Sequence, residues 1–191
     1  GAVKGQRIFV DGQLDSTGTS PTCTFYDEDQ KIRETQFFRL GKAEGLHLKY
    51  HANGKEAYRA LYRSGKIQGD EEFFGENGKR IGRGSYKDGV PYGKHWRTHP
   101  NGSKAYEAIF ANEGSSKQPI SEWYENGQLK YAVWYVKGNH HRIGAPATLT
   151  WYENGQLERE AWYINGVRYE TEAEFQVAVD LYKANEIAEL F

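Results

Sequence analysis

The chain repeats itself. Trp123-Tyr-Glu-Asn-Gly-Gln-Leu129 returns as Trp151-Tyr-Glu-Asn-Gly-Gln-Leu157, and fainter copies precede both. With the glycine of each Asn-Gly pair as zero, the register falls at Gln30 (degenerate), Gly54, Gly78, Gly102, Gly127 and Gly155, at spacings of 24, 24, 24, 25 and 28 residues. A second set follows about eleven residues later at Gly41, Gly65, Gly89, Gly114, Gly138 and Gly166. Two glycine turns per unit imply two strands per unit. Stacked copies of a small unit cannot bury a core singly, so such chains offer surfaces rather than enclosed pockets.

Position plus eight is aromatic in every copy: Phe38, Tyr62, Tyr86, Phe110, Tyr135 and Tyr163. Position minus four reads Tyr26, Tyr50, Phe74, Thr98, Trp123 and Trp151. Ile8-Phe9-Val10-Asp11-Gly12 matches Trp162-Tyr163-Ile164-Asn165-Gly166 and stands as an orphan half-unit. In Leu46 to Tyr62, two alternating runs flank Asn53-Gly54, the residue pair that suits a type I′ hairpin turn. The second turn, Arg63-Ser-Gly-Lys66, reverses the chain again, and an antiparallel meander results.

Alternation sorts side chains onto two faces. Positions plus four, six and eight give Tyr58/Ala60/Tyr62, Gly82/Gly84/Tyr86, Tyr106/Ala108/Phe110 and Tyr131/Val133/Tyr135, a face of rings with small residues between them. Positions plus five, seven and nine give the mixed sets Arg59/Leu61/Arg63, Arg83/Ser85/Lys87 and Ala132/Trp134/Val136. An aromatic content of 15% without methionine, at a mean hydropathy of −0.84, suits strands whose rings stack. The fold class expected is mostly β: an elongated antiparallel β-hairpin repeat array of about six 24-residue units with a C-terminal α-helix as end cap. Residues 1–24 form a half-repeat and connecting loop, 25–169 the hairpin repeats and 170–191 the cap. Thr171 with Glu174 makes a capping box, and Phe175, Ala178, Val179 and Tyr182 share one helical stripe. A helix that binds a partner is the alternative.

Chemistry is sparse. His47 and His51, like His95 and His99, are four apart, which on strands is roughly 13 Å, too far for a shared metal. Glu76, Glu125 and Glu153 recur two residues before the turn glycine, at an exposed corner rather than in a cleft. Cys23 lacks an activating motif, and as the single cysteine excludes an internal disulfide. No catalytic residue, metal or cofactor is expected, so the chain does not read as an enzyme. The net charge of −1 argues against a nucleic-acid partner held by overall field. Locally, residues 49–104 are basic, and from 153 onward nine acids face three cations. The polar stretch Asn112 to Pro119 and the segment His140 to Pro146 break the period. The first residues, Gly1-Ala2-Val3, read as a scar or a processed terminus, and the compartment stays open.

Candidate partner-binding residues are Arg59, Arg63, Arg83 and Lys87, which on this geometry form a cationic grid roughly 10 by 13 Å, with Trp96 and Arg97 just beyond. A solvated repeat face is the plainer reading of the same residues. Trp134 and Trp162 share position plus seven; they are interface anchors if that face is open and core if the helix covers it.

The units resemble MORN repeats, most closely the bacterial variant in which Tyr or Trp precedes Asn-Gly-Lys/Gln and a second aromatic precedes Asp/Asn-Gly. The match covers about 25 to 169 and is clearest at Tyr50 to Gly69, Phe73 to Gly93, Trp123 to Gly138 and Trp151 to Gly166. Gln30, Thr98 and Gly75 depart from the pattern. The resemblance implies a non-catalytic protein-binding role, as an antitoxin or immunity-type protein that neutralises a toxin or effector. Its other implication is a scaffold or peripheral module on anionic phospholipid.

Overall fold

The computed structural model describes residues 4–15, 19–111 and 118–188. The polar loop from Asn112 to Lys117, with its turn glycine Gly114, lies outside the described residues, as do Gly1-Ala2-Val3. The chain divides into two compact units, Gly1–Pro100 and Asn101–Phe191.

In the first unit, eight strands form an antiparallel sheet in the order β1 (Lys4–Arg7), β4 (Cys23–Tyr26), β5 (Ile32–Gln36), β8 (Gly45–Tyr50), β9 (Glu56–Arg63), β10 (Lys66–Phe74), β11 (Arg80–Lys87) and β12 (Val90–Thr98). Two small hairpins pair apart from it, β2 (Phe9–Val10) with β3 (Gln13–Leu14) and β6 (Phe38–Arg39) with β7 (Lys42–Ala43). The second unit orders β13 (Lys104–Phe110), β14 (Ile120–Trp123), β15 (Leu129–Val133), β18 (Thr148–Trp151), β19 (Leu157–Ile164) and β20 (Val167–Tyr169), with β16 (Tyr135–Val136) paired to β17 (Asn139–His140). One helix, α1 (Glu172–Ala188), follows. The expected meander of two-strand units is present in both.

The two kinds of turn are assigned the other way round from the residue-pair expectation. At Asn53-Gly54 only the glycine has positive φ (80°), Gly54 N–H donates to the His51 carbonyl at 2.9 Å, and the pairing shifts register beside it. That is a longer loop ending in a left-handed glycine, not a type I′ turn. The two-residue turns with both φ positive are the second ones: Ser64-Gly65 (49° and 84°), Asp88-Gly89 (52° and 79°) and Asn165-Gly166 (50° and 82°). Gln30 keeps the first-turn backbone without a glycine, at φ 59° with its N–H on the Asp27 carbonyl at 3.1 Å.

Two hydrogen-bond ladders join successive hairpins. On one edge the turn asparagine uses both ends of its amide. Asn53 Oδ1 accepts from Lys55 N–H at 3.0 Å, while its Nδ2 donates to the Glu76 carbonyl at 2.8 Å. Asn101 and Asn126 donate likewise to the Glu125 and Glu153 carbonyls, each at 3.0 Å. On the other edge, a second-turn glycine N–H donates to the preceding hairpin: Gly41 to Leu14, Gly65 to Ala43, Gly89 to Ile67 and Gly166 to His140, at 2.8 to 3.0 Å.

Burial follows the plus-six position, where Ala60, Gly84, Ala108, Val133 and Ala161 are all buried. The ring stripe beside it is half-buried. In the second unit Ile164, Phe175 and Val179 form a core, with Ile143, Trp162, Tyr169, Ala178 and Tyr182 packed around it. The helix starts on its capping box, with Glu174 N–H to Thr171 Oγ1 at 3.2 Å and Thr171 N–H to Glu174 Oε2 at 3.3 Å.

Candidate functional site

The mixed face of the first unit is built by β9 to β12. Backbone register places Arg59 opposite Glu72, Glu72 opposite Arg83 and Arg83 opposite Trp96. An acidic strand therefore runs between the two arginine strands. Glu72 pairs with Arg80 Nε at 3.2 Å, Arg83 Nη2 meets Asp70 Oδ2 at 2.5 Å, and Arg59 is bound by Glu56. The Arg59 guanidinium also lies 5.2 Å from the Phe74 ring centre. Burial pushes the Asp70 carboxyl up, but hydrogen bonds from Ser85 and Arg83 outweigh it and hold the group below the usual carboxylate range. Arg83 is raised in turn by its bond to Asp70.

Arg63 and Lys87 sit at the second turns, where they face Lys66 and Val90 across their hairpins. With Arg39 and Lys42, a facing pair in the small β6–β7 hairpin, they place exposed cations at successive second turns. Among the described residues, none of these five makes an ion pair. Like charges directly opposite one another cost stability in isolation. Sequence reasoning found Arg63 and Lys87 but not Arg39, Lys42 and Lys66. The signal was the Arg-x-Gly-Lys tip, present at 39–42 and 63–66.

Trp96 shares the face of Arg83, half-buried, whereas Arg97 points to the opposite face. There its guanidinium lies 3.9 Å from the Phe73 ring centre and Nη2 lies 3.9 Å from Glu71. Glu71 also accepts from the Tyr86 hydroxyl at 3.0 Å. Trp134 and Trp162 belong to the second unit. The Arg142 guanidinium caps Trp134 at 3.7 Å, and Trp162 packs against the core beneath the helix. Of the eight candidates, the structure groups Arg59, Arg83 and Trp96 on one face, puts Arg63 and Lys87 at its edge, and leaves Arg97 on the other side.

The ring face holds residues that the sequence weighed only as metal ligands. His47 stacks on Tyr62 with centroids 4.4 Å apart and donates from Nε2 to the Phe37 carbonyl at 2.9 Å. His95 meets Tyr86 edge-on at 5.1 Å, and His140 sits between Tyr135 and Tyr163 at 4.7 and 4.9 Å. These imidazoles fill gaps in the aromatic stripe. Burial pulls His47 and His95 below the ordinary histidine range, and the hydrogen bonds to Phe37 and Ser85 only partly offset it. Among the described residues no group of three or more His, Cys, Asp or Glu side chains could hold a metal. The buried Cys23 thiol is pushed up by burial, opposite to an activated thiolate.

The repeated hairpins, the two ladders and the open mixed face define an antiparallel β-hairpin repeat protein. Three stretches of the chain, residues 67–88, 120–136 and 148–165, match the family model described as the MORN repeat variant. Repeats of this family serve in protein or membrane-lipid binding and scaffolding. No curated protein matches the chain. No described helix is long and apolar enough to cross a membrane.

Proposed function

We propose that this chain is a non-catalytic binding protein of the antitoxin or immunity type, which neutralises a toxin or effector protein by laying the mixed face of its first unit against it. One observation carries the reading. Leu46 and Leu61 face each other in register, yet both remain about two-fifths exposed, at 41% and 38%, on the face that also carries Arg59, Arg83 and Trp96. An exposed apolar pair sharing a face with arginine and tryptophan suits a protein interface. The ion pairs on Arg59 and Arg83 fix the guanidinium planes rather than cancel the patch, because Asp70 and Glu56 can be shared with partner donors. The toxin-neutralising role rests on the resemblance of the repeats.

The test is co-purification with the protein encoded beside it, followed by a growth-rescue assay with that neighbour expressed. A stable complex burying about 1,600 Å² is expected. Absence of both complex and rescue would sink the reading.

A second reading, attachment to an anionic membrane surface, is favoured by the five unpaired cations of the second turns. Sedimentation with anionic liposomes should fall with salt and with Arg63→Glu plus Lys87→Glu. Protein left in the supernatant at low salt counts against it.

A further inference from the structure

The ring face of the first unit is not filled evenly. Across β5, β8, β9 and β10, backbone register aligns Glu34, Lys49, Tyr58 and Phe73 in one row. Gln36, His47, Ala60 and Tyr62 lie alongside. A trough of about 420 Å³ opens over this row, with Gln36, His47, Ala57 and Tyr62 as its other walls. In the next hairpin the same place is occupied from within. A side chain at Gly82 would meet Arg97 Cγ at 2.8 Å, and one at Gly84 would collide with the His95 ring.

Its lining selects by elimination. Glu34 accepts from the Gln36 amide at 2.6 Å and lies 3.7 Å from Lys49 Nζ, so the row carries one fixed negative and one fixed positive charge. A free anion meets Glu34 and a free cation meets Lys49; neither gains net charge attraction. A purely apolar ligand would strip water from a carboxylate, an ammonium and an amide without replacing their hydrogen bonds. A zwitterion could reach either charge only in competition with the Glu34–Lys49 pair, whereas a neutral ligand with many hydroxyls and one apolar side leaves that pair in place. Tyr58, tilted at 58° to Phe73 with centroids 5.1 Å apart, presents ring surface for that apolar side, while Arg97 lies over the Phe73 ring. Glu34, Gln36 and Lys49 supply acceptors and donors in one line for hydroxyls, which both donate and accept. His47 cannot turn away from its place, because its Nε2 is held by Phe37 and its ring by Tyr62. The volume lies within the ordinary range of small-molecule sites, roughly 300 to 1,000 Å³.

We propose that this trough is a carbohydrate site that takes one or two neutral pyranose rings, stacked on Tyr58 and hydrogen-bonded by Glu34, Gln36 and Lys49. It lies on the face opposite to Arg59 and Arg83, so it stands apart from the protein-binding reading.

The experiment titrates the full chain with maltose, cellobiose and N,N′-diacetylchitobiose, read by calorimetry and by saturation-transfer difference NMR. At least one should bind saturably with a Kd of about 0.1 to 10 mM, the range of a small open site. Lys49→Ala, at an exposed side chain that leaves the fold intact, should weaken it at least about fivefold, as should Glu34→Gln. Arg83→Ala on the other face should leave it unchanged. No saturable binding of any of the three up to about 50 mM overturns the proposal. Binding that survives both Lys49→Ala and Glu34→Gln, with the variants folded by circular dichroism, also overturns it.

Discussion

Asn126 donates from its side-chain amide to the main-chain carbonyl of Glu153, 27 residues further on, at 3.0 Å, while its Oδ1 holds Gln128 N–H at 2.9 Å. The asparagine of the repeat is thus both turn former and rivet. Asn126→Asp keeps the acceptor and loses the donor, and should cost about 0.5 to 1.5 kcal/mol in chemical denaturation. Asn154 is the control: its Oδ1 holds Gln156 N–H in the same way, but its Nδ2 reaches only Gln156 Oε1 in its own turn. Asn154→Asp should cost less than Asn126→Asp. Equal losses would mean that the rivet contributes nothing.

Gln30 and Gly54 hold equivalent places with positive φ, 59° and 80°. A side chain there is strained, and asparagine tolerates the region better than glutamine. Gln30→Asn should raise stability by about 0.5 kcal/mol, and Gly54→Ala, with open space around its Cβ, should lower it by about 1 kcal/mol from the backbone alone. Thermal melts of the two variants check both signs.

The hairpins were legible because glycine pairs and aromatic alternation recur in register, whatever the identity of the residues between. The turn types were not. Asn-Gly is the strongest short-range sign of a type I′ turn, yet the first-turn asparagines Asn53 and Asn126 stay out of the left-handed region and spend their amides on the next hairpin. Positive φ at both central residues falls to the second turns, to Asp88-Gly89 and Asn165-Gly166, which carry the sign, but equally to Leu40-Gly41 and Lys137-Gly138, which do not. The cationic grid was drawn by stepping from Arg59 to Arg83 over the strand between them. That strand places Glu72 opposite both arginines and brings Asp70 to Arg83. Spacing along the chain locates strands but does not say which acid a guanidinium will find. The histidines were hidden for a related reason, since only the fold shows that their neighbours are tyrosines of the adjacent strand.

His47 and His95 titrate below the ordinary histidine range because burial disfavours the charged ring. Around His47 stand the Phe37 carbonyl, Tyr62 and Glu34; around His95 stand Ser85, Tyr86, Glu71 and Arg97. The unfolded chain takes up protons near pH 6.5 and the folded chain does not, so the stabilisation is complete above that pH and is lost as pH falls toward the folded values. Melting temperature should be flat above about pH 7 and decline below about pH 6.5, ahead of the carboxylates. His47→Gln with His95→Gln should flatten the decline, at a lower plateau. An unchanged slope would place the titrating groups elsewhere.

Gly84 lies beneath His95, and any Cβ there would overlap the imidazole. Its φ is not the obstacle; the close approach is. Gly84→Ala should therefore destabilise the first unit by about 1 to 3 kcal/mol, the range of an overpacked site. If the clash is with the ring, His95→Ala makes room for the new methyl, and the double variant should lose less than the sum of the single ones. A coupling of at least about 0.5 kcal/mol in that double-mutant cycle is expected. Strict additivity would mean that the strand yields instead of the histidine. The same cycle run with Gly82→Ala and Arg97→Ala separates the two cases, because Gly82 also meets the Trp96 carbonyl oxygen at 3.0 Å, which no side-chain truncation removes. Gly82→Ala should therefore be rescued less than Gly84→Ala.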